Sequence, residues 1–149
     1  MQPEGLLNIV RPGHVASWRP AINSQTQEPP MPSNAVVDLQ DKLSCFSDHW
    51  SPRTVAEYNG HDVMVVKVQG SFQWHSHADT DDFFLVLKGR LHIDLPEGTV
   101  HLGPGQMFVV PRGMQHRPHA EEETHLLLIE PTGTPNSGDV RTAAPRQVI

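Results

Sequence analysis

His75-Ser76-His77 sets two imidazoles at positions i and i+2, Asp82 follows closely, and His116 lies on a distant segment behind the turn Pro111-Arg112-Gly113. On an extended segment alternate side chains share a face, so His75 and His77 point the same way. Three imidazoles and a carboxylate converging from two places suit a divalent transition metal with open coordination positions. The chain holds 10 histidines in 149 residues, so an H-x-H pair alone says little. Its weight comes from the turns and the carboxylate around it. Asp81 falls on the opposite face of a regular strand from Asp82, and Asp79 reads as a solvated loop residue.

The elements that must position these groups are mostly strands. Val36, Leu39 and Val37-Asp38-Leu39 to Leu43 fit one or two helical turns capped near Asp38. Beyond them the period of apolar residues becomes two. Strands are expected over 55–58, 63–69, 72–77, 83–88, 91–95, 99–102, 107–110 and 126–130, separated by Asn59-Gly60, Lys88-Gly89, Glu97-Gly98, Gly103-Pro104-Gly105 and Pro111-Arg112-Gly113. Many short strands with such turns indicate an all-β sandwich or barrel. Residues 1–33 are punctuated by Pro3, Pro12, Pro20, Pro29, Pro30 and Pro32 and are expected to form an extended or partly disordered N-terminal arm. Residues 34–132 form the ordered domain, and 133–149 a C-terminal tail expected to leave it.

Composition narrows the function classes. Eleven basic residues against seventeen acidic ones, net charge −6 with histidine neutral and no basic cluster, argue against a nucleic-acid surface and against anionic membranes. Cys45 is the single cysteine, so no internal disulfide is available and a reducing, cytoplasmic setting is expected. The N-terminus lacks the basic start and apolar run of a signal peptide.

The residues then resemble the cupin superfamily, whose first motif runs glycine, H-x-H, glutamate, glycine. Gly70, His75, His77, Asp82 and Gly89 fall into it, with Asp in place of the usual Glu. The second motif, G-x5-P-x-G-x2-H-x3-N, is met by Gly105, Pro111, Gly113 and His116, with Ala120 where the asparagine stands. The likeness covers about 34–140, and the stretches DTDDFFLVLKGRLHIDL and FVVPRGMQHRPHAEEETHLLLIEP are similar to single-domain cupins of the mannose-6-phosphate isomerase-like type. The resemblance implies a double-stranded β-helix, or jelly-roll barrel, with the metal inside.

On that footing His75, His77, Asp82 and His116 are the expected ligands of iron, manganese, nickel or zinc. Phe84 and Val86 share the face of Asp82 and are expected to wall the pocket, joined by Met107 and Val109, with His119 at its mouth. Phe72 and Trp74 are expected to pack on the outer face, and His92 and His101 to lie on a solvated one. The expected function is that of a metal-dependent enzyme acting on a small polar molecule by isomerase, lyase or dioxygenase chemistry. The alternative is a non-catalytic module that binds or senses a small molecule, with a structural metal or none. No general base is evident; His119 or a metal-bound hydroxide are the candidates. A strict sugar-phosphate isomerase would need a basic cluster, whereas Arg90, Arg112 and Arg117 are scattered. Jelly-roll edges need cover, and an arm crossing to a neighbour would make a homodimer.

Overall fold

The computed structural model describes residues 35–149, so the expected N-terminal arm lies outside the described residues. Helix α1 (Leu39–Ser44) begins where Asp38 caps it, its carboxylate accepting from the Gln40 and Asp41 amides. That satisfies donors the first turn leaves unpaired. Eight strands follow: β1 (Arg53–Tyr58), β2 (His61–Ser71), β3 (Asp82–Lys88), β4 (Leu91–Leu95), β5 (Gly98–Leu102), β6 (Met107–Val110), β7 (Arg117–Pro131) and β8 (Gln147–Val148). The strands are ordered β5-β4-β7-β2-β1-β8, with β3 pairing both β6 and β7. This is the all-β barrel expected from the sequence.

The long strand β7 organises the barrel because it changes partners midway. Arg117 to His119 pair with β4, and His125 to Ile129 pair with β3, while β2 runs along its other edge. The change falls at Glu121 to Glu123, which are exposed and stand where the register slips between Val68 and Gly70. These glutamates form an exposed bulge inside a strand. A bulge bends the strand without ending it.

The alternation of the strands fills the interior with Met64, Val66, Val68, Phe84, Val86, Leu91, Ile93, Leu126 and Leu128. A smaller cluster of Leu43, Val55 and Val65 holds α1 on the outside. Burying Leu43 there, at 2% exposure, stabilises the docked helix by about 1.5–3 kcal/mol. Gly89 is demanded by close approach: a Cβ there would stand 3.0 Å from the Thr124 Cα, and its φ is +89°.

The expected strand over 72–77 is absent. Only His75 bridges to His116, through reciprocal amide–carbonyl bonds of 3.0 and 2.9 Å, and the Gly113 amide donates to the His77 carbonyl at 2.7 Å. Nor does the C-terminal tail depart. The Asn136 amide group reaches the Trp50 carbonyl, Arg146 pairs with Asp62 and Glu57, and β8 adds to β1 in parallel.

Candidate metal centre

His75, His77, Asp82 and His116 come together at one end of the barrel interior, each offering one ligand atom, all within 4.8 Å of one another. All four are at least 93% shielded, with exposures of 7%, 5%, 4% and 1%. Three pieces of chain deliver them. The irregular segment 72–77 carries the H-x-H pair, Asp82 opens β3, and His116 stands just before β7, held by its bridge to His75. Gly113, at φ +77°, lets the chain reverse after Pro111 so that His116 turns inward.

The backbone also sets how the rings face. His75 Nδ1 lies 3.0 Å from the Gln73 carbonyl and His116 Nδ1 lies 3.0 Å from the Met114 carbonyl. A carbonyl only accepts, so each Nδ1 carries the proton and each Nε2 presents its lone pair. His116 Nε2 then sits 2.9 Å from Asp82 Oδ2, and His77 Nε2 sits 3.3 Å from the same oxygen. A lone pair facing a carboxylate oxygen is repulsive unless a cation lies between them, either a second proton on the ring or a metal ion. His77 Nε2 is buried and makes no hydrogen bond of proper geometry. Both observations fit a divalent cation.

Charge states agree with ligation. Burial, reinforced by the neighbouring His116, lowers His75 to about 4, which keeps it neutral at physiological pH. Burial alone would raise Asp82, but the adjacent imidazoles of His116 and His77 outweigh it and hold the carboxyl below its usual range. Glu130 behaves in the opposite way. Burial, then the negative charge of Asp82, pushes it up to about 9. The pairing of Phe83 with Ile129 puts Glu130 across from Asp82, and its Oε1 lies 4.0 Å from His77 Nε2.

Glu130 has no assigned role in the sequence reading. A signal was present: it shares the parity of Leu126 and Leu128, so a regular β7 turns it inward. Trp50 and Asn136 were missed as well, because neither lies in a motif.

A narrow slot of about 40 Å³ adjoins the cluster, lined chiefly by Trp50, Phe72, His75, Asp82, Phe84 and Glu130. Phe84 walls it as expected, its ring 6.1 Å from that of His116. Val86 lies deeper, sealed in the core at 0% exposure, and does not line it. Met107 and Val109 are corrected outright: they are 52% and 41% exposed, because Phe108 and Val110 take the inward parity of β6. His119 also falls outside. Pro118 and Ala120 face inward, so His119 turns outward and meets Asp94 at 3.3 Å. Phe72 stacks on Trp50 at 5.0 Å and meets His75 edge-on at 5.2 Å. It therefore borders the slot instead of the outer face, since 72–77 is not a regular strand. Trp74 does face outward, at 47% exposure. A larger cavity of about 380 Å³ lies between the barrel and the C-terminal segment, bounded by Thr54, Asp62, Met64 and Arg146, and shares Pro52, Glu130 and Asn136 with the slot.

Comparison with known proteins bears on this arrangement. A cupin domain model matches residues 62–130. The Bacillus subtilis protein YdbB is 33% identical over 94 residues, which span 62% of this chain and 77% of that protein. A crystal structure of a cupin-2 domain containing protein from Shewanella frigidimarina is 46% identical, with a TM-score of 0.64, covering 64% of this chain and 94% of that one. A hydroquinone 1,2-dioxygenase from Sphingomonas, solved with 4-hydroxybenzoate bound, shares the fold at 18% identity and a TM-score of 0.52, over 71% of this chain and 80% of its own. This chain belongs to the cupin family, its cupin domain running through the strands that carry Asp82 and Glu130.

Proposed function

We propose that this cupin is a metal-dependent enzyme acting on a small polar molecule, with His75, His77, Asp82 and His116 holding iron, manganese, nickel or zinc. The observation that carries the reading is the convergence of His116 Nε2 and His77 Nε2 on Asp82 Oδ2, with His116 Nδ1 committed to a backbone carbonyl and the buried His77 Nε2 left without a hydrogen bond. When bound, the ion would supply Lewis-acid or redox chemistry of the isomerase, lyase or dioxygenase kind. The chain's own part is to hold it dry and to shape what reaches it. Trp50, Phe72 and Phe84 supply apolar walls, which exclude water and strengthen polar interactions inside. The ligand that fits is compact, with oxygen donors at one end and an apolar or flat body. Glu130, raised by burial, is placed to hold or deliver a proton beside Asp82. It replaces His119 as the candidate acid or base.

The second reading is a binding or sensing cupin. The small slot and Ala120, in place of the family's asparagine, favour it. The mannose-6-phosphate isomerase-like relationship is read as one of fold. Arg117 is taken up by Asp94 and Arg112 by Asp81, and the slot is lined by no lysine or arginine among the described residues. A cytoplasmic homodimer, completed by the N-terminal arm, is the proposed assembly. No described helix is long and apolar enough to cross a membrane.

Metal analysis of protein purified without chelator tests the reading. Near-stoichiometric transition metal, lost in the double variant His75→Ala, His77→Ala, is expected. Less than about a tenth of an equivalent in the native protein would favour the binding module. Full metal in the double variant would remove the site assignment.

A further inference from the structure

On the outside of the barrel, three histidines stand in one cross-strand row. His101 of β5 is in register with His92 of β4, and His92 is in register with His119 of β7. Their neighbours Leu91, Ile93, Pro118 and Ala120 point inward, so the row lies on the face opposite the barrel cavity. The His92 ring is 4.8 Å from His101 and 5.1 Å from His119. We propose that His92, His101 and His119 form a second, surface site for a divalent transition metal such as zinc or copper, separate from the centre inside the barrel.

Nitrogen geometry carries the argument. Nδ1 of His92 faces Nδ1 of His101 at 2.5 Å. A tetrahedral ion with bonds of about 2.0–2.1 Å holds two nitrogens about 3.3 Å apart. Separating the rings by less than about 1 Å would therefore admit one between them. His119 Nε2 donates to Asp94 Oδ1 at 3.3 Å, which leaves its Nδ1 as the lone pair. A carboxylate behind the outer nitrogen of an imidazole is the usual way a ligating histidine is oriented. Asp94 is itself fixed by Thr99 at 2.7 Å and by two bonds from Arg117 at 3.0 and 2.7 Å. In this site all three histidines would ligate through Nδ1, the His119 ring turning about its side-chain bonds to close on the pair. Burial and the adjacent rings of His119 and His101 lower His92, which favours the neutral, ligating form. Imidazole donors of this kind suit zinc, copper and nickel. A depression of about 250 Å³ lined by Arg90, His92, His101 and Gln106 leaves room for an exogenous ligand beside the ion.

Zinc titration of the full chain, with metal counted after equilibrium dialysis, tests the site without reference to activity. The native protein should bind one equivalent more than His101→Ala or His92→Ala, and these exposed substitutions should leave the interior centre filled. His119→Ala should weaken the outer equivalent at least about tenfold, and Asp94→Asn by about tenfold. With Cu2+ in place of zinc, His92, His101 and His119 ring signals should broaden together in the nuclear magnetic resonance spectrum. An unchanged stoichiometry in both His92→Ala and His101→Ala would overturn the site, and an unchanged affinity in His119→Ala would overturn the three-ligand assignment.

Discussion

Replacing Glu130 by glutamine should stabilise the metal-free protein, and by an amount that grows with pH. The folded-state carboxyl titrates at about 9, against an ordinary value of 4.5, because burial and then the Asp82 charge oppose its ionisation. A group raised in this way contributes stability that is fully present below 4.5 and is lost as pH rises through 9. At pH 7.5 the unfolded chain has released this proton and the folded one has kept it. The folded protein then forgoes about 1.4 kcal/mol per unit over roughly three units, or about 4 kcal/mol at most. Residual hydration of the site reduces this to about 2–4 kcal/mol. Glutamine is neutral at every pH and keeps a donor for Asp82, so Glu130→Gln should match the native protein near pH 4 and exceed it at pH 8. For a chain of this size the gain corresponds to about 6–12 °C in Tm. Urea unfolding of chelator-treated protein between pH 4 and 9 is the assay. Saturating metal should narrow the gap, because a cation beside Asp82 relieves the charge that raises Glu130. Equal stabilities at pH 8, or a native protein whose stability does not fall from pH 5 to 8, would refute the assignment of a protonated interior carboxyl.

Asp82→Asn should lower metal affinity by at least about tenfold, measured by competition with a chromophoric chelator. Asp82→Glu should retain metal only when Glu130 is shortened as well, a coupling that a double-mutant cycle would detect. Gly138 has φ +74°, and a Cβ there would collide with the Ser76 carbonyl oxygen between His75 and His77. Gly138→Ala should therefore cost about 1–3 kcal/mol in urea unfolding and expose the C-terminal segment to limited proteolysis. A truncation starting at Asn34 should become monomeric by light scattering if the arm completes a homodimer; a dimer of unchanged affinity would exclude arm exchange.

The candidate metal cluster was legible because its residues obey local rules. Strand parity turns Asp82 and Phe84 to one face, and Gly70, Gly89, Gly105 and Gly113 adopt the positive φ that their turns require. The all-β barrel followed from the same alternation. What escaped was set at a distance. Asn136 borders the slot because the C-terminal segment folds back, and no periodicity announces a return held by Arg146 on Asp62 and by two residues of β8, while Trp50 is placed by bonds from its amide and indole to the Lys67 and Gln69 carbonyls of β2. Met107 and Val109 failed for a smaller reason. In a four-residue strand, alternation places two residues inward, and the choice between Met107 with Val109 and Phe108 with Val110 depends on register with β3, where Val110 stands opposite Asp82. His119 is near His116 in sequence but not in the pocket, because Pro118 and Ala120 hold the inward parity of β7 and one residue of strand reverses a side chain.

The carboxylate is where this chain leaves the family pattern, and the structure gives that departure a physical sense. Asp82 opens β3 in register with Val110, and the pairing with β6 and β7 continues from there. Its Oδ2 stands 2.9 and 3.3 Å from two Nε2 atoms. Neighbouring ligands of an octahedral ion with bonds of about 2.1 Å are about 3.0 Å apart, so the shorter side chain already reaches a coordinating position. Glu130 stands across from it on the paired strand β7. A glutamate at 82 would push its carboxylate toward a second buried carboxyl, and two like charges so close cannot both ionise without shifting one upward. Asp82 and Glu130 are thus one unit: the short residue is held ionised by histidines, and the long one behind it keeps a proton at the edge of the slot. A change at either position alters the charge state of the other, which is why the two carboxyls have to be tested as a pair.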